Sequence, residues 1–183
     1  MIGNWEMWER DPSGLFLEYA DAYLVASVRT CWELREDKAR QSWPYASVVQ
    51  LLAAHSVELF LKGALASKKM ESEANHNLRT LNDLYRDAFP EDEFKFECPF
   101  IPNYSLLDED TKNQALRTEV APSIEFRYPI SKEKKHWRGI SGFTPEGYGH
   151  VLFGLDADYE RLMPLLGHTR IGERLYGEPE DSP

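Results

Sequence analysis

The sequence is poor in most of the features that would declare a function. Cysteine is scarce: Cys31 and Cys98 are the two thiols among 183 residues, too few for a disulfide framework and without the spacing of a metal site. They read as buried or half-buried free thiols in a reducing compartment. Positive charge is in deficit, with 21 Lys and Arg against 31 Asp and Glu and a formal net charge of -10. The surface as a whole therefore lacks the positive field that non-specific phosphate binding needs, although a local basic patch is still allowed. No unbroken apolar run approaches the ~20 residues of a membrane span. The start, Met1-Ile2-Gly3-Asn4-Trp5, lacks the basic-then-apolar order of a secretory signal. A cytoplasmic protein with no membrane association is expected. There is also no glycine-rich phosphate loop, no HExxH pair and no spacing that selects a Ser or Cys nucleophile. The five histidines are scattered, so neither a metal nor a cofactor is expected.

What the chain has instead is helical periodicity and a generous 13% of aromatic residues. From Ser13 to about Ala39, Phe16, Tyr19, Ala20, Tyr23, Leu24, Ser27, Val28, Cys31 and Leu34 recur at intervals of three and four, an apolar helical stripe. Asp11-Pro12 supplies a cap and a first-turn proline. The stretch Pro44–Lys68 is apolar around most of its circumference, which places it at the centre of a bundle. Gly63 lies in its interior, where glycine costs about 1 kcal/mol, and a close helix crossing is the physical reason to keep it. A third helix follows the polar turn at 72–77, with Leu78, Leu81, Leu84, Tyr85 and Ala88 as its stripe and Asn75 or Asn77 as its cap.

Periodicity fades from Glu91 to Ser141, apart from one short exposed helix at Asp108–Thr118. Such a stretch either carries function or packs as an ordered insert. The last helix opens at Thr144-Pro145-Glu146, a cap, a first-turn proline and a first-turn acid, and ends at Pro164 and Gly167. No internal repeat and no strand-like alternation interrupts the pattern. The expected fold is all-α: an antiparallel up-and-down bundle of four to five helices, with an irregular insert before the last helix. Residues 1–170 form one domain in this reading, and 171–183 an acidic, mobile tail.

The polar residues that stand out are few. His55, Glu58 and Lys62 lie on one face of the apolar second helix. They are either a polar seam that fixes helix register or one wall of a ligand cleft. His76 stands where the third helix begins, as a cap or packed over the helix start. Arg127-Tyr128 sits in the irregular region, and the Arg127 guanidinium suits either Glu58 or a ligand phosphate. The run Lys132–Arg138 is the one net-basic stretch and contains Trp137. Its Lys134, Lys135 and Arg138 suit phosphates beside a stacking ring, or an ordinary solvated loop.

Three of these pieces, in order, resemble the HEPN domain family. They are Ala54-His55-Ser56-Val57-Glu58-Leu59-Phe60-Leu61-Lys62-Gly63, then His76-Asn77-Leu78 with Leu81 and Leu84, then Arg127-Tyr128-Pro129 ahead of an apolar last helix. The family pattern is E-L-x-L-K, H-D-L and R-Y-P, and the likeness spans roughly Leu15 to Leu166. It implies a helical bundle, a homodimer, and a role in RNA metabolism, toxin–antitoxin pairs or defence. Many members are metal-independent ribonucleases built on a closely spaced Arg and His. Here the corresponding pair is Arg161 and His168, separated across Pro164 and Gly167, with Leu162 where a polar residue usually follows the Arg. Asn77 also replaces the usual Asp. The resemblance therefore implies a non-catalytic module contacting a nucleotide, RNA or a partner protein such as a nucleotidyltransferase. Its contact set is His55, Glu58, Lys62, Arg127, Tyr128, Lys134, Lys135 and Arg138. The alternative is a ribonuclease toxin or effector.

Overall fold

A computed structural model of the chain describes residues 11–70, 76–101, 103–118, 126–128 and 143–170. Among them are the helices α1 (Pro12–Glu36), α2 (Trp43–Ser67), α3 (Leu78–Ala88), α4 (Glu109–Thr118) and α5 (Pro145–Leu165), and no strand. The expected all-helical bundle is present. The basic run at 132–138 and the acidic tail at 171–183 lie outside the described residues.

The helix ends follow local chemistry. The side chains of Asp11, Asn77 and Thr144 each accept a backbone N–H of the first turn they precede, from Gly14, Thr80 and Gly147 respectively. Each bond satisfies a donor that the helix leaves unpaired. α1 stops at Glu36, earlier than its periodicity suggests, and the chain tightens into a 3-10 turn at Lys38–Arg40. Pro164 is accommodated in the last turn of α5. At its end Gly167, with φ +77°, closes a Schellman reversal in which His168 N–H donates to Met163 O. α2 ends in the same way, with Met70 N–H donating to Leu65 O, but here Lys69 takes the left-handed φ of 57°.

α1 and α2 form the frame. Ser13 Oγ donates to Gly63 O at 2.8 Å, Ser56 Oγ to Ala20 O at 2.6 Å and Ser27 Oγ to Val49 O at 2.8 Å. Residues 13, 20 and 27 thus meet 63, 56 and 49, which is an antiparallel pair with a rung every seventh residue. All three serines are buried. Their bonds use second lone pairs on helix carbonyls, so burial leaves no hydroxyl unpaired. α5 runs antiparallel to α1 as well: Cys31 lies against Pro145 O near one end, and the Arg170 that closes on Asp156 also reaches Asp21.

The core collects around Phe60. Its ring lies 4.8 Å from Tyr159, 5.1 Å from Phe96 and 6.0 Å from Tyr85, distances at which ring pairs add to burial. Phe94 and Phe96 come from the irregular stretch after α3, where Tyr85 Oη donates to Phe94 O at 2.8 Å. Arg161 fastens the same stretch by donating to Glu93 O and Lys95 O. This part of the irregular region is therefore an ordered insert packed into the bundle. α2 supplies the largest buried share. It is long and apolar enough, by length and composition alone, to cross a membrane, yet 78% of its most apolar window is buried in the protein. A search for unbroken apolar runs passes over it because Gln50, His55, Ser56, Glu58 and Lys62 interrupt the sequence.

Gly63 is where the frame is tightest. A Cβ there would lie 2.8 Å from Leu17 Cγ and 3.1 Å from Phe16 Cβ. Gly63→Ala gains about 1 kcal/mol of helix propensity, but the clash reaches atoms near the α1 backbone that move little. The substitution is expected to lower stability by about 1–3 kcal/mol, read from the urea midpoint. An unchanged or raised midpoint would show that α1 yields at this crossing.

Candidate functional site

α2 carries its charged and imidazole side chains, His55, Glu58 and Lys62, on one face. Glu58 is 2% exposed, so its charge needs partners. Lys62, one turn on, supplies Nζ at 2.9 Å from Oε1. His76 supplies Nδ1 at 2.8 Å from the same oxygen. His55, one turn back, faces Oε2 with its own Nδ1 at 3.9 Å. That separation exceeds hydrogen-bond length, and among the described residues His55 Nδ1 has no other partner. Its ring stands edge-on to Tyr23 at 4.7 Å between centroids.

Burial pushes the Glu58 carboxyl up, but His55, Lys62 and His76 together outweigh it and hold the group down at about 2. Glu58 is therefore an ionised carboxylate enclosed by basic side chains. The enclosure is one-sided. His76 keeps 61% of its side chain exposed and His55 28%, while Lys62 keeps 11%. A buried anion thus holds a basic, partly open surface of imidazole and ammonium groups on an otherwise acidic protein. Such a surface suits a ligand with phosphate or carboxylate oxygens.

The helix spacing brings His55, Glu58 and Lys62 together as expected. His76 does not cap α3, a role taken by Asn77; its Nδ1 closes on Glu58. The Schellman reversal ends α2 at Lys69 and Met70, and His76 next meets Glu58. α3 then crosses toward the end of α2, where Lys68 Nζ lies over the Phe89 ring. Arg127 is exposed, and among the described residues the charged partners of Glu58 are the three basic groups already named, Arg127 not being one of them. Tyr128 is exposed as well. Lys134, Lys135 and Arg138 lie outside the described residues.

Of the spaced pair Arg161 and His168, the arginine is engaged within the fold. The Arg161 guanidinium is taken up by Glu93 O, Lys95 O and Asp158. The thiols offer no alternative nucleophile: burial, with the charge of Glu146, pushes Cys31 up to about 11, and burial pushes Cys98 up to about 12. Among the described residues no group of His, Cys, Asp and Glu is arranged to hold a metal ion.

A second buried ionic cluster had no signature in the sequence. Arg170 Nε donates to Asp21 Oδ1 at 2.7 Å, Nη2 to Asp156 Oδ1 at 2.7 Å and Nη1 to Asp156 O at 3.2 Å. Both aspartates are buried. The residues are 149 and 14 positions from Arg170, beyond any local pattern. Together these features define a helical bundle with one closed ionic lock and one open, carboxylate-centred polar site. No family model, no curated protein and no solved structure matches the chain.

The low Glu58 value fixes a pH dependence. The folded group ionises at about 2 against an ordinary 4.5, so its contribution is complete above the ordinary value and is lost as pH falls through about 2. The effect is on the order of 3 kcal/mol. Urea midpoints of the wild type should fall across that acid window. Glu58→Gln should fall less steeply while starting lower at neutral pH, because buried Lys62 loses its counter-charge. A parallel acid limb in the variant would remove Glu58 as its origin.

Proposed function

We propose that this protein is a non-catalytic binding module of the HEPN kind that takes the phosphate groups of a nucleotide or RNA at the His55–Glu58–Lys62–His76 site. The observation that carries the reading is the one-sided enclosure of Glu58: a carboxylate 2% exposed beside a histidine whose side chain is 61% exposed. The three motif pieces and the exposed positions of Arg127 and Tyr128 support it. Toxin–antitoxin or defence pairing, with a nucleotidyltransferase as partner, is the setting the resemblance implies.

A labelled oligoribonucleotide or ATP should bind at low ionic strength and weaken steadily as salt is added. His76→Ala and His55→Ala should each weaken binding by about tenfold, the equivalent of one charge-assisted hydrogen bond. Absence of binding to both probes at low salt rejects the reading.

We further propose that the protein is a homodimer joined through the uncharged face of α1 and α2. Tyr19, Tyr45 and Val48 are exposed there, and Leu51 and Leu52 are half-buried. Two copies with a net charge of -10 each repel, so a patch free of charge is where they meet at least cost. Val48→Glu should convert a dimer to a monomer in sedimentation velocity without unfolding it. A wild-type monomer at high concentration counts against the dimer.

A further inference from the structure

We propose that the site holds a nucleotide by both ends: the base lies in the right-angled corner formed by Tyr23 and His55, and the phosphates meet Lys62 and His76. This rests on the binding reading above and adds to it the residue, Tyr23, that distinguishes a nucleotide from bare phosphate.

The corner follows from the helix pair. Tyr23 is on α1 and His55 on α2, and both are half-buried. The rungs Ala20–Ser56 and Ser27–Val49 bracket them, so the two helices are fixed on either side of the point where the rings meet. The ring centroids are 4.7 Å apart and the planes stand at 88°. In such a pair one ring turns its edge to the other's face, and the ring that offers its edge keeps both of its own faces clear of its neighbour. A third flat ring can then stack on one member while meeting the other edge-to-face, the two arrangements that ring quadrupoles favour. His55 Nδ1 is enclosed beside Glu58. The 28% of the His55 side chain that stays exposed is therefore the rest of the ring.

Glu58 sets the order of the two ends. Its Oε2 faces His55 at 3.9 Å, while its Oε1 meets His76 at 2.8 Å and Lys62 at 2.9 Å. The ring corner and the other two basic groups thus lie to either side of one carboxylate. A ligand with a flat ring at one end and anionic oxygens at the other matches this order, which is the build of a nucleotide. Inorganic phosphate or a simple carboxylate would use half of it. His55 and Lys62 are seven residues apart on α2, about 10 Å along the helix axis. That separation favours a nucleoside triphosphate, whose outer phosphates are well removed from the base. Since every base offers a π-face, Tyr23 selects for a base without reading which one.

The test is equilibrium dialysis of labelled ATP and of labelled inorganic tripolyphosphate, which keeps the phosphates and lacks the base, at low ionic strength. Tyr23 is one turn from Tyr19, on the face proposed to join two copies. The measurements are therefore made at a dilution where sedimentation velocity shows the monomer. Charge alone favours tripolyphosphate, which has one more ionisable oxygen. ATP should nevertheless bind the wild type about tenfold more tightly, the size of one stacked base. Tyr23→Leu, which fills the position without an aromatic face, should remove that advantage and leave tripolyphosphate binding unchanged, a result that also shows the variant to be folded. Tyr23→Phe should keep the advantage, and His76→Ala should weaken both probes alike. Equal binding of the two probes by the wild type, or a Tyr23→Leu variant that loses both or keeps the preference for ATP, overturns the proposal. Equal binding leaves the phosphate reading standing, whereas absence of binding to either probe rejects that reading and this proposal with it.

Discussion

The fold depends on the close antiparallel approach of α1 and α2. Three serine hydroxyls reach carbonyls of the facing helix at every seventh residue, and this works only where the helices nearly touch. Small residues make that distance attainable: Gly63 opposite Ser13 and Leu17, and Ala20 opposite Ser56. The arrangement combines dense packing with satisfied polar groups. With α1 on one flank and Phe60 turned into the aromatic cluster, the face of α2 carrying His55, Glu58 and Lys62 is left to meet the chain that follows it. The polar site is a consequence of where the close crossing places the rest of the circumference.

A buried carboxylate on the central helix would destabilise the bundle unless it were matched. Lys62 comes from the same helix, one turn away, and is available as soon as α2 forms. His76 comes from beyond the reversal at Lys69, so the second partner arrives only when α3 docks. The ionic cluster and the position of α3 therefore support each other. Glu58 is fully compensated when the chain has turned back, and the turned-back chain is held in place by Glu58.

Much of the bundle is legible in the sequence because its determinants are local. Asn77 and Thr144-Pro145 mark helix starts through bonds spanning three residues, and the spacing of His55, Glu58 and Lys62 places them on one face without tertiary knowledge. What is not legible depends on long returns of the chain. His76 reads as a helix-start residue, since nothing local says that it will meet Glu58, 18 positions earlier. Arg170 is invisible because its two aspartates are on α1 and α5. Arg127 seemed the natural partner of Glu58 because guanidinium suits carboxylate. That chemistry is sound, but Lys62, His76 and His55 already surround the carboxylate. The aromatic insert was legible only as an alternative, because Phe94 and Phe96 lack helical spacing and their burial rests on Arg161.

The contrast between the two buried ionic clusters gives the reason to regard one as a site. Around Arg170 the guanidinium donates to Asp21 and Asp156 from three of its nitrogens, and the three residues are close to fully enclosed. Its donors are spent inside the fold, and the cluster locks the segment after α5 to two helices. Around Glu58 the anion is buried to the same degree, but its histidines are not. Among the described residues His55 Nδ1 has no hydrogen-bond partner, and His76 uses one nitrogen on Glu58 while most of its side chain stays exposed. A lock has no need of an imidazole that is half solvated, since a lysine or an amide would neutralise or cap as well. An imidazole differs from both in having a second nitrogen whose protonation is set by the first. A buried acid paired with an exposed imidazole therefore transmits the fixed charge of the core to a group at the surface, where another molecule can meet it.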